Sequence, residues 1–146
     1  MTLTELKVGL IALLQSRYPT KKYNYYSMAV VEKYDRPCFF TQILPVDMSP
    51  ANFNSRKNRA LFYITFMQEK TDETEMLEII QGIRDLLGLS VQIKERAVKV
   101  VDFDWNYTGT YRNIPEISVE LEWFDRIEHK NDAPLMEQVI TKKKWR

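Results

Sequence analysis

Four carboxylates in two spaced pairs, Asp102 with Asp104 and Glu120 with Glu122, are the residues of this chain whose type and spacing could do chemistry. Side chains alternate faces along an extended strand, so each pair shares a face, and a hairpin between the two segments would gather all four on one surface. Oxygen ligands grouped in this way suit magnesium or calcium. With a lysine beside them they would suggest a metal-dependent nuclease. Lys99, however, has the opposite parity to Asp102 and Asp104, and no Glu-Xaa-Lys follows Glu120. Two further readings stay open. The carboxylates can be a solvated polar face, or a wall that repels phosphate, because duplex DNA carries a negative charge every roughly 1.7 Å and passes a surface of like charge without sticking.

Other chemistry lacks its parts. His129 is the only histidine and Cys38 the only cysteine, so transition-metal sites, internal disulfides and the usual nucleophile–base pairs cannot be assembled. Cys38 lies in an apolar run and reads as a buried thiol, and His129 as a surface residue. The four glycines are scattered, with no phosphate-cradling loop. No cofactor is implied. Two basic clusters, Arg56-Lys57-Asn58-Arg59 and Lys142-Lys143-Lys144-Trp145-Arg146, can contact phosphate or an acidic partner, or can simply be solvated.

The elements that would position these residues follow from periodicity. Thr2 and Glu5 form a capping box ahead of Leu3, Leu6, Leu10, Leu13 and Leu14, which predicts a helix from Thr2 to Tyr18, where Pro19 ends it. Tyr25 to Val31 suggests a short strand. Pro37 to Leu44 and Arg59 to Met67 read as two apolar strands. Between them Val46 to Asn58 reads as a long loop with no element of its own, of a kind that marks contact or disorder. Asp72 caps a second helix over Glu73 to Leu87, with Met76, Ile80, Ile83 and Leu87 on one face and Gly88 as the stop. Val100 to Tyr107 and Ile117 to Phe124 alternate with period two around a turn at Thr108 to Asn113, and one face of this hairpin is aromatic. The order predicts an α+β domain over residues 1–128, two helices on one face of a mostly antiparallel sheet with a long loop, followed by a tail over 129–146.

A chain of 146 residues can bury roughly 70% of its unfolded surface as one domain. Its 21 basic and 20 acidic residues leave a net charge of +1, which gives no overall attraction to nucleic acid or an anionic membrane. No signal-peptide pattern opens the sequence and no apolar run reaches the roughly 18 residues of a span, so a soluble, intracellular protein is expected. Aromatic residues at 12% are compatible with large subunit contacts.

Several stretches together resemble the phage tail terminator proteins of prophages and phage-tail-like particles of Gram-positive bacteria. The resemblance rests on Arg36-Pro37-Cys38-Phe39-Phe40 with Gln42-Ile43-Leu44, on the Arg56 to Arg59 segment, and on Leu61-Phe62-Tyr63-Ile64-Thr65-Phe66. It continues through Thr71-Asp72-Glu73 with Met76-Leu77 and Leu86-Leu87, Ile117-Ser118-Val119-Glu120-Leu121, and Pro134-Leu135-Met136. Tyr23 to Lys33 departs from the family in lacking a glycine-bearing turn, and the Lys142 to Arg146 run is individual.

The resemblance implies a structural, non-enzymatic protein of the virion tail or of a headless tail-like particle, assembled in the bacterial cytoplasm. Copies would form a ring, a hexamer, on the head-proximal end of the tail tube, stop its growth and present the head–tail joining surface. Its partners would be itself, the tube protein, sheath and head–tail connector proteins, with DNA only as passing cargo and no membrane. On this reading Arg56, Lys57, Arg59, Leu135 and Met136 are subunit or tube contacts, and Asp102, Asp104, Glu120 and Glu122 form an acidic stripe facing the lumen. Other readings are a different neck or connector component, the metal-dependent nuclease, and a nucleic-acid-binding module that uses the loop and tail lysines.

Overall fold

Thr2 opens α1 (Leu3–Arg17) as the sequence requires: its hydroxyl accepts from the Glu5 amide at 3.1 Å, and the Glu5 carboxylate accepts from the Thr2 amide at 2.8 Å. Leu6, Leu10 and Leu14 are buried along one face. In α2 (Glu73–Leu87) Asp72 caps by accepting from the Thr74 amide at 3.1 Å. Glu75 does not complete a box there; it accepts from the Gln68 side chain at 2.7 Å. Gly88 takes the stop with φ of 62°, a backbone angle that disfavours a side chain. The computed structural model describes residues 1–27 and 34–128.

Six strands make one sheet: β1 (Asn24–Ser27), β2 (Cys38–Pro50), β3 (Ser55–Met67), β4 (Ser90–Ile93), β5 (Arg96–Thr108) and β6 (Ile114–Arg126). Their order is β1-β2-β3-β6-β5-β4, antiparallel except for the β1–β2 pair. Both helices lie on one face, over Phe62, Ile64 and Phe66 of β3 and Ile117, Val119, Leu121 and Trp123 of β6. Tyr18, Tyr23 and Tyr25 pack around Phe39 with ring centroids 5.3 to 5.4 Å apart, so part of the tyrosine content serves the core. Burial pushes the Tyr25 hydroxyl pKa up, and that hydroxyl donates to the Tyr18 carbonyl at 2.6 Å.

Two sequence expectations are corrected. Val46 to Asn58 is not a loop: β2 and β3 run thirteen residues each and pair out to Pro50 opposite Arg56. Only 51–54 turn, tied by the Asn52 carbonyl oxygen Oδ1, which accepts from the amides of Asn54 and Ser55. The prolines mislead because Pro45 and Pro50 turn their amide positions away from β3. Asn24 donates to the Pro37 carbonyl, so odd residues of β2 face β1, and the irregularity between Pro45 and Asp47 reverses the parity beyond it. The second correction is a bulge in β5 between Val100 and Asp102. It places Val100 with Phe103, Trp105 and Tyr107 on the helix side, and Lys99 with Asp102 and Asp104 on the other. The β4 strand was not foreseen, and it pairs with the start of β5. The strand expected from Tyr25 to Val31 is seen as Asn24–Ser27, and its remainder lies outside the described residues, as does the tail with His129, Leu135, Met136 and Lys142 to Arg146.

Candidate assembly surface

The sheet face without helices is built by alternation. Lys57 and Arg59 of β3 project there, beside Glu120 and Glu122 of β6 and Lys99, Asp102 and Asp104 of β5. Registry makes the neighbours: Arg59 stands opposite Glu122, Asp102 opposite Glu120, and Lys99 opposite Glu122. Arg59 binds the Glu120 carboxylate through Nε at 2.9 Å and also through Nη2, and this carboxylate raises the Arg59 pKa further. Lys57 Nζ lies 3.5 Å from Glu122. Two members of the basic cluster, Lys57 and Arg59, are thus ion-paired with two of the four carboxylates, Glu122 and Glu120, which no reading of them as separate features anticipates.

All four carboxylates share this face, and Lys99 shares it too, contrary to its parity in the sequence. The bulge is the reason. Two of the four are occupied by cations, while Asp102 and Asp104 are exposed and have no ion-pair partner among the described residues. Among those residues no three acidic, histidine or cysteine side chains converge as a metal site would require. At the β1 edge the same face is aromatic: Tyr26, Tyr34 and Phe40 pack with centroids 5.2 to 6.5 Å apart, and the Arg36 guanidinium lies 5.4 Å over the Tyr34 ring.

The outer half of the β2–β3 hairpin forms an arm. Val46, Met48 and Phe53 are exposed along it, Phe53 to 70%, and Arg56 is exposed opposite Asp125 of β6. Lone exposed apolar residues are ordinary; here three lie along one hairpin arm. The alternation that could have revealed this arm is broken in the sequence by Pro45, the bulge and Pro50.

Inside the arm lies a polar knot that sequence reasoning missed. Asp125 Oδ2 accepts from the fully buried Asn58 side chain at 2.8 Å and from the Trp123 indole at 3.3 Å, and Oδ1 accepts from the Met1 amine at 3.0 Å. Cys38 is fully buried, and burial pushes its thiol up to about 11, which keeps it protonated and inert at neutral pH.

A family model described as phage tail terminator protein matches residues 5–133. No curated protein matches the chain. One solved structure, 10% identical, superposes with a TM-score of 0.54 over 90% of this chain and 99% of its own. At that identity the likeness shows the fold alone.

Proposed function

The chain belongs to the phage tail terminator family, a family of structural tail proteins, and from that premise we propose that its copies close into a ring, a hexamer, capping the head-proximal end of the tail tube. There the ring stops tube polymerisation and presents the surface for head–tail joining. The observation that carries this reading is the family match over residues 5–133. Head-to-tail contacts that do not close extend a filament, and a subunit that matches the last tube ring on one side but lacks the tube's own surface on the other ends it. Termination is then a matter of shape, with no catalytic step.

The arm of β2 and β3 supports a role in contact, since Val46, Met48 and Phe53 are exposed there and Arg56 lies beside them. Lys57 and Arg59 act in this reading mainly by ordering the sheet face, because Glu122 and Glu120 hold them. The helix-free face lines the lumen. Its two aspartates without a cation partner, Asp102 and Asp104, together with the engagement of Lys57 and Arg59, favour passage of DNA over its capture. Partners beyond further copies are the tube protein, sheath and a head–tail connector.

Negative-stain electron microscopy of the purified protein tests the ring. Closed rings of one size are expected, and single particles at every concentration would overturn the proposal.

A further inference from the structure

The long strand β5 is paired on its outer side only at its beginning, where Arg96 to Lys99 meet β4. The Val100 amide donates to the Leu89 carbonyl, so Val100 faces outward, and after the bulge the outward positions are Phe103, Trp105 and Tyr107. Among the described residues no strand pairs with these three. The Trp105 and Tyr107 amides are satisfied instead by the side chains of the residues just before them, Asp104 and Asn106, each at 2.9 Å. Next to this edge, between α2 and β5, runs a groove of about 550 Å³ lined by Leu77, Ile80, Phe103 and Trp105, with Leu77 and Trp105 about half exposed.

Exposed sheet edges are normally defended, because their free amides and carbonyls recruit other strands. The opposite edge of this sheet is defended: beyond β1, the outward positions of β2 include Pro45 and Pro50, which have no amide to offer. The β5 edge has no proline and has an apolar groove beside it. These features together describe a site for strand addition, in which main-chain bonds hold an extended segment and side-chain pockets select it.

We infer that the open edge of β5 and its groove receive the C-terminal segment, residues 129–146, of a neighbouring copy of this chain. The inference rests on the ring reading above. The charged lining of the groove, Arg17 and Arg84 with Glu78 and Asp85, is balanced, so apolar side chains select the segment. Leu135, Met136, Val139 and Ile140 supply apolar side chains for Leu77, Ile80 and Trp105. Reach selects the neighbour. Ile117 pairs with Trp105, and from there to Glu128 the strand direction carries the chain about 36 Å away. Returning within the same molecule would consume about eleven residues, so that Leu135 and Met136 would pass before the groove was reached.

The test replaces Leu77 with the photo-cross-linking residue benzoylphenylalanine in the full chain, in an equal mixture of isotope-labelled and unlabelled protein. Leu77 is exposed, so the fold tolerates the change. Irradiated rings are expected to give cross-links between labelled and unlabelled chains that map to residues 135–146. A second variant, Phe103→Pro, removes one outward amide together with a ring that lines the groove and should weaken association at least about tenfold, with an unchanged circular dichroism spectrum. Rings whose cross-links map elsewhere, or only within one chain, overturn this inference and leave the ring standing. A chain that never forms rings and gives no cross-link between copies overturns both.

Discussion

Asp125 concentrates more of the polar satisfaction of this molecule than any residue whose spacing advertised chemistry. Asn58 is fully buried and its amide nitrogen has Asp125 as its partner, so Asp125→Ala leaves a buried donor without one. Such a loss costs about 3 kcal/mol, and chemical denaturation should show it as a lower midpoint with the slope unchanged. Asp125→Asn keeps an acceptor and should lose less. Glu5 gives a pH-dependent case. The Lys94 ammonium at 2.5 Å, helped by the Thr2 amide, holds its carboxyl down to about 2. Because the folded value lies below the ordinary 4.5, the contribution of this group is complete above about pH 4.5 and fades as the pH falls toward 2. NMR titration of the Glu5 carboxyl should find a midpoint near 2. In Lys94→Met the midpoint should rise yet stay below the ordinary value, because the Thr2 amide still donates.

Helices were legible almost to the residue because their signals are local. Thr2 with Glu5, Asp72, Gly88 and the leucine spacing each act within one or two turns of the chain. The carboxylate pairs were legible for the same reason: period two fixes which side chains share a face. What stayed hidden depends on neighbours. Pro45 reads as the end of a strand unless one knows that its nitrogen faces an open edge, and the bulge at Val101 moves Lys99 to the acidic face without any mark in composition. Gly9 is a further example, a helix-interior glycine that looks only costly. In the fold it lets α1 lie against β4, for a Cβ there would sit 2.7 Å from Ile93. Gly9→Leu should therefore destabilise by about 1–3 kcal/mol through overpacking, read from the denaturation midpoint. Val8→Ala, one residue away and 63% exposed, should change it by no more than about 0.5 kcal/mol.

Taken whole, the molecule is a sheet with a different character on each border. One face is sealed by helices, the other carries ion pairs beside two aspartates without a cation partner, one edge carries two outward prolines beyond β1, and the other edge is open above a groove. A subunit of a closed ring needs this inequality, since head-to-tail contact joins two unlike surfaces. If the helix-free face lines the lumen, Asp102→Lys with Asp104→Lys should leave ring size unchanged and confer salt-sensitive retention of duplex DNA, which gel-shift assays at two ionic strengths would read. No such retention would remove the lumen assignment. Termination itself can be watched in tube assembly: purified protein is added to tail tubes during polymerisation and their lengths and ends are measured by electron microscopy. Growth is expected to stop, with a ring on one end of each tube. Tubes that keep growing at the same rate, with bare ends, would contradict it.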